Sequence, residues 1–140
     1  MTTTEKSIFM KTTIAIAFIA ASLFVHAAHA QQAEQRPKRT VLQKSDVGAT
    51  GREATMQIVE FAHGAAEVPH THPGELIGYV LEGAFELDVA GKPRATHRAG
   101  DSFLIEGGRV HAGKNIAPGP SRLLVTVILE KGQPPSSPAK

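Results

Sequence analysis

Short runs of apolar and β-branched residues, separated by glycine and proline turns, recur along most of the chain. Residues 85–89 alternate strictly between apolar side chains and the acidic Glu86 and Asp88, which is typical of a strand with one buried face. Beyond the N-terminal segment, no window keeps a helical period for three turns. Many short strands with regular turn signals predict an all-β barrel or sandwich. Further strand-like runs cover residues 54–61, 102–105 and 123–129.

The first 30 residues have the layout of a secretory signal peptide rather than of a folded element. Lys6 and Lys11 precede an uncharged apolar run over residues 12–25, and Ala28-His29-Ala30 supplies a small-x-small cleavage pattern. The run is shorter than the roughly 20 residues that span a bilayer. We therefore predict a signal peptide over residues 1–30, no stable membrane insertion after cleavage, and a periplasmic or secreted protein.

Composition then limits the domain that follows. The polar residues 31–39 predict a flexible leader, residues 40–131 one β-domain, and the Pro/Ser-rich residues 132–140 a disordered tail. The 140-residue chain has no cysteine, which excludes disulfides and thiolate metal sites. A net charge of +2, one tyrosine and no tryptophan leave no basic stripe and no stacking platform. We therefore predict no nucleic-acid binding.

The histidines are the candidate metal ligands of this chain. His70 and His72 are two residues apart, so in an extended segment both imidazoles lie on the same face. A metal ion needs its nitrogen ligands at about 2.0–2.1 Å, and a third ligand must come from elsewhere in the chain. His111 follows a glycine turn and could begin a strand that faces the pair. The alternative is two surface histidines at the rim of the barrel.

Two motifs add a family resemblance. Gly64-x5-His70-x-His72 followed by Tyr79-Val80-Leu81-Glu82-Gly83 resembles the first cupin motif. Gly100-x5-Glu106-x-Gly108-x2-His111-x3-Asn115 resembles the second. In particular, the chain is similar to small single-domain bacterial type-2 cupins. The resemblance implies a jelly-roll-like β-barrel with one divalent transition metal ion, and His70, His72 and His111 match the family's histidine ligands.

The resemblance is incomplete at the family's glutamate ligand. That motif position is Leu76 here, and Glu75 lies one residue earlier. A shift of one residue moves a side chain to the other face of a strand, although a bulge at Pro73-Gly74 would let Glu75 turn inward. Glu75 is therefore a candidate fourth ligand. Tyr79 is a candidate substrate contact or an outer packing residue, and Glu106 is interpreted as an exposed turn residue.

The function implied by the resemblance stays broad. Cupins include dioxygenases, isomerases and decarboxylases, which implies a metal-dependent reaction on a small organic molecule, with the metal as Lewis acid or as the site of O₂ and substrate. Because fold alone does not set function, a non-catalytic small-ligand or metal-binding barrel and a structural barrel with a vestigial site remain alternatives. Imidazole suits Fe, Mn, Zn, Ni and Cu alike. We also predict a homodimer, with residues 39–44 able to extend a neighbour's sheet.

Overall fold

Two five-stranded antiparallel sheets make up residues 36–140, the part of the chain that the computed structural model describes. The order of strands is β1-β2-β9-β4-β7 in the first sheet and β10-β3-β8-β5-β6 in the second. The signal-peptide prediction lies outside the described residues. The strands are β1 (Lys38–Asp46), β2 (Arg52–Phe61), β3 (His70–Thr71), β4 (Glu75–Glu82), β5 (Ala84–Val89), β6 (Ala95–Arg98), β7 (Ser102–Ile105), β8 (His111–Asn115), β9 (Ser121–Glu130) and β10 (Ser137–Pro138).

The hydrophobic core lies between the facing sides of the two sheets. In β9 every second side chain from Leu123 to Leu129 is buried, and in β5 Phe85, Leu87 and Val89 are buried while Asp88 is exposed. This alternation is the period-2 pattern that the sequence shows. The prediction of an all-β, jelly-roll-like barrel is therefore confirmed. Within the described residues, no helix is long and apolar enough to cross a membrane.

Close packing between β4 and β7 depends on a glycine. Gly78 pairs with Phe103 across the two strands, and a Cβ atom at position 78 would lie 2.0 Å from the Phe103 ring. Any larger residue would collide with the ring, so Gly78 allows Phe103 to lie over β4. The ring also contacts Phe85 of the opposite sheet, with ring centroids 5.1 Å apart. This contact links the two sheets beside the cavity described below.

At both ends, strands of the β-domain extend beyond the boundaries of residues 40–131 that the sequence predicts. Lys38 and Arg39, placed in the predicted leader, belong to β1 and pair with β2. The predicted disordered tail contains β10, in which Ser137 and Pro138 pair with β3. Composition indicates disorder in the tail because Pro and Ser are abundant there. In the structure, backbone groups of this segment find hydrogen-bond partners at the edge of β3.

Candidate metal centre

Three histidines, which lie in or directly after two adjacent strands of the second sheet, converge on one point. His70 in β3 pairs directly with His111 in β8, and His72 follows β3 on the same face as His70. The ring centroids of the three imidazoles are 4.3–5.0 Å apart. One ring nitrogen from each lies within 4.8 Å of the others. Nitrogens that share an ion at bonds of about 2.1 Å are at most about 4.2 Å apart, so the three rings lie close to the spacing of a metal site.

Backbone carbonyls fix the tautomer of all three rings. Nδ1 of His70 lies 2.9 Å from the carbonyl oxygen of Val68, Nδ1 of His111 lies 2.9 Å from that of Arg109, and Nδ1 of His72 lies 2.5 Å from that of Pro135. A carbonyl oxygen only accepts hydrogen bonds, so each Nδ1 must carry the proton. The lone pair of each neutral ring is therefore on Nε2. This is the donor set that a divalent transition metal ion requires.

Burial favours the neutral form of His72 and His111. His72 and His111 are only 8% and 3% exposed, and His70 is partly exposed. Burial lowers the pKa of His72 from 6.5 to about 4, against the opposing effect of the hydrogen bond to Pro135. Burial also lowers the pKa of His111. Because protons and metal ions compete for the same lone pair, a lowered pKa leaves these nitrogens free to bind metal at neutral pH.

The three rings open onto a cavity between the sheets. The space enclosed between the sheets is small, about 30 Å³, and it opens to solvent at its mouth. Apart from the histidines, the polar side chains of its lining are those of Arg39, Gln57 and Glu67. The rest of the lining is apolar: Val59, Phe61, Leu76, Phe85, Leu87, Phe103, Ile105, Leu123 and Val125.

A family model described as a cupin domain matches residues 57–127, about half of the chain and all of the region that holds the histidines. The chain is a cupin. Its two histidine segments are thus the two cupin motifs, and the resemblance drawn from the sequence is confirmed. No curated protein matches this cupin significantly.

Solved structures share the fold of this cupin. An uncharacterized protein with a double-stranded β-helix domain from Klebsiella pneumoniae is 21% identical, with a TM-score of 0.60, over 75% of this chain and 85% of its own. The DMSP lyase DddQ from Ruegeria pomeroyi is 23% identical, with a TM-score of 0.62, over 74% of this chain and 52% of its own. An oxalate oxidase in complex with the substrate analogue glycolate is 25% identical, with a TM-score of 0.56, over 71% and 54%. This cupin spans about half the length of the latter two.

The structure does not bring Glu75 to the histidines. Glu75 begins β4 with its carboxylate accepting a hydrogen bond from Nη2 of Arg52 at 2.6 Å, and its side chain is 47% exposed. Leu76, the residue at the family's glutamate position, faces the cavity instead. Because no bulge intervenes at this point of β4, strand alternation places Glu75 and Leu76 on opposite faces. The cluster of metal-ligating groups in the described chain is thus three histidines without a carboxylate.

The other residues singled out from the sequence lie outside the cluster. Tyr79 is on the outer face of β4, 45% exposed, and does not line the cavity. Glu106 is an exposed turn residue that pairs with Lys92. The amide of the buried Asn115 donates to the carbonyls of Phe61, Ala62 and Gly119 and so fixes the turn after β8.

Sequence reasoning missed four contributors to the site. Arg39 lies in the predicted leader and Pro135 in the predicted tail. The sequence pattern assigns no role to Gln57 or Glu67. Each reaches the site through contacts with residues distant in sequence, such as the 63 positions between His72 and Pro135. For Gln57 a local signal existed: it is a polar residue at an inward position of β2, two residues before the buried Val59.

Proposed function

We propose that this cupin binds one divalent transition metal ion through Nε2 of His70, His72 and His111. The observation that carries the proposal is the set of three hydrogen bonds from Nδ1 to backbone carbonyls, which direct three lone pairs to one point. Unrelated surface histidines would not be expected to share one tautomer and to converge on one point. The donor set fits Fe, Mn, Zn, Ni or Cu, because all of these accept imidazole ligands.

We further propose that a small organic molecule binds in the cavity beside the ion. Three neutral protein ligands leave the full charge of the ion uncompensated and leave coordination positions to water or to a ligand. When bound, the ion would act as a Lewis acid toward an oxygen of that molecule, or as the site of O₂ and substrate. The apolar walls would hold the body of the molecule and exclude water, as in most small-molecule sites.

Two functions are compatible with this site. Metal-dependent chemistry on a small molecule is supported by the similarity to oxalate oxidase, although this cupin spans only 54% of that protein. A non-catalytic metal- or ligand-binding protein is supported by the ion pairs that the nearby carboxylates already form. Glu75 pairs with Arg52 and Glu67 with Arg39, so among the described residues neither is free to act as a general base.

Metal content and turnover of the purified protein test these proposals. We expect about one equivalent of a transition metal per chain after reconstitution, measured by plasma mass spectrometry, because the donor set holds a single ion. A screen of phenolic compounds and keto acids, with and without O₂, then separates the two functions. Turnover that requires the metal establishes the enzyme, and stoichiometric metal without turnover establishes the binding protein. Failure to retain any transition metal would contradict the metal site.

We also propose that the protein is exported to the periplasm or beyond, on the strength of the N-terminal sequence, and that it forms a homodimer. The outer face of the first sheet supports the dimer, because large apolar side chains on neighbouring strands are exposed there. Monomeric proteins rarely expose a contiguous apolar surface of this kind. A second copy of the same face would cover it. The exposed residues are Met56, Ile77, Tyr79, Leu81 and Leu104.

A charge placed on this face is expected to separate the subunits. Leu104 is 54% exposed and pairs with Ile77 on the neighbouring strand, so Leu104→Glu would bury a carboxylate in the interface without disturbing the core. Size-exclusion chromatography with light scattering at micromolar concentration should show a dimer for the wild type and a monomer for the variant. Thr96→Glu, on the exposed strand β6, is the matched control and should remain dimeric. A monomeric wild type would refute the dimer.

A further inference from the structure

Arg39 and Glu67 form an ion pair in the lining of the metal cavity. Arg39 pairs with Val59 across β1 and β2, and residues directly opposite on two strands share a face. Because Val59 lines the cavity, Arg39 lies on the cavity side of β1. Glu67 lies in the connection between β2 and β3, against Gly113 of β8 in the second sheet. The ion pair therefore joins the two sheets at the cavity.

Glu67 is held in place by contacts on both of its carboxylate oxygens. Oε1 accepts a hydrogen bond from Nη2 of Arg39, and Oε2 accepts one from the backbone N–H of Gly113 at 3.2 Å. A Cβ atom at position 113 would lie only 3.2 Å from Oε2, so the glycine leaves room for this contact. The Glu67 side chain is 14% exposed. Glu67 is thus a positioning residue, which orients the guanidinium of Arg39 beside the cavity.

The charge of the cavity favours an anionic ligand. The charges of Arg39 and Glu67 cancel, and imidazoles bind a metal ion as neutral ligands, so a bound divalent ion would leave the site with a net charge of about +2. The apolar walls strengthen this field because they lower the local dielectric constant. An anionic group would be attracted both to the ion and to the guanidinium.

The guanidinium of Arg39 has hydrogen-bond donors to spare. It carries five N–H groups in a planar fork, and the pair with Glu67 engages Nη2. Its side chain is 41% exposed and forms part of the cavity lining, so the guanidinium is not enclosed by protein. A planar fork of donors matches the geometry of a carboxylate, which it binds with charge-assisted hydrogen bonds.

We propose that Arg39 binds a carboxylate of the ligand and that the cavity takes small organic acids, dicarboxylates in particular. One carboxylate would reach the metal ion and the other would meet the guanidinium at the mouth. Arg39 is therefore the specificity-determining residue for acids over their neutral amides. This inference rests on the proposed metal site, because the ion supplies the second anchor.

Titration of the Co²⁺-loaded protein with matched acids tests the inference. Oxalate, malonate, succinate and glutarate are compared by isothermal titration calorimetry, and the monoamide of the tightest of them replaces one carboxylate with a neutral group of equal size. We expect the wild type to prefer the diacid to its monoamide. Arg39→Gln should weaken diacid binding by about 10- to 100-fold, the range for hydrogen bonds to charged groups, and should leave monoamide binding nearly unchanged.

Controls separate this inference from the metal site itself. Arg52→Gln removes another arginine that is paired with a glutamate, outside the cavity lining, and should not change either affinity. The visible absorption of bound Co²⁺ should be the same in wild type and Arg39→Gln before any acid is added. Arg39→Lys keeps the charge but loses the planar fork of donors, so we expect a smaller loss of diacid affinity than in Arg39→Gln. This variant replaces Arg39→Gln in the test if the latter does not fold.

The outcomes are distinguishable. If Co²⁺ binds but none of the four diacids does, or if Arg39→Gln weakens diacid and monoamide binding equally, the assignment of Arg39 is overturned while the metal site stands. If the wild type does not bind Co²⁺, the proposed metal site fails first and the assignment of Arg39 falls with it. If Arg39→Gln loses affinity for the diacid but not for the monoamide, with unchanged Co²⁺ absorption, Arg39 is established as the residue that binds the second carboxylate.

Discussion

Replacing His111 with alanine is expected to abolish stoichiometric metal binding. His111 is the ligand that β8 brings to the pair in β3, and its ring is 3% exposed with Nδ1 bonded to the carbonyl of Arg109. Two histidines alone hold a transition metal far more weakly than three. The loss should exceed the roughly 10- to 100-fold effects seen when an outer hydrogen-bond partner is removed. Zn²⁺ titration against a competing chelator measures this affinity.

Thermal unfolding with and without metal provides a second measurement. A ligand at 100 times its Kd stabilises the native state by about 2.7 kcal/mol, so saturating Zn²⁺ should raise the Tm of the wild type and leave that of His111→Ala unchanged. His111→Gln retains most of the side-chain volume and separates the loss of a ligand from the loss of packing. His63→Ala is the matched control, because His63 also bonds a carbonyl, that of Ala117, but lies outside the cluster. Unchanged Zn²⁺ affinity in His111→Ala would refute the three-histidine site.

Deleting residues 133–140 is expected to lower metal affinity by about 10- to 100-fold while the barrel remains folded. The deletion removes the carbonyl of Pro135, which accepts the hydrogen bond from Nδ1 of His72, and it removes β10, which pairs with β3. His72 would then be free to rotate and to carry its proton on either nitrogen. The deleted residues are almost all exposed, so the hydrophobic core between the sheets is unaffected. Chelator competition and circular dichroism measure affinity and folding.

A shorter deletion shows whether the effect comes from the segment that holds Pro135 and β10 rather than from the last two residues. A chain that ends at Pro138 retains both Pro135 and the paired residues of β10, and loses the hydrogen bond from the backbone N–H of Ala139 to Pro69. Its metal affinity should be within a few-fold of the wild type. If the longer deletion also leaves the affinity unchanged, the carbonyl of Pro135 does not position His72. If both chains lose affinity equally, the end of the chain acts through something other than this carbonyl.

The local pattern of the sequence was sufficient for four strands, β2, β5, β7 and β9, and for the first pair of ligands. Alternation in β5 and β9 is a property of neighbouring residues, because side chains two apart share a face whatever the rest of the chain does. The same rule places His70 and His72 together and puts Leu76, not Glu75, toward the cavity. The uncertainty over Glu75 arose because a bulge would reverse its face, and whether a strand bulges depends on its partners.

What the sequence alone determined is therefore the all-β class, four of the ten strands and the His-x-His pair, together with the family motifs that name the third histidine. Only the tertiary structure decided that backbone carbonyls fix all three tautomers, that Pro135 in the tail orients His72, and that Arg39 meets Glu67 at the cavity. The contact of Pro135 with His72 joins residues 63 positions apart, and that of Arg39 with Glu67 joins residues 28 positions apart. They depend on how the sheets pack and which strand edges pair, and no local periodicity encodes such contacts.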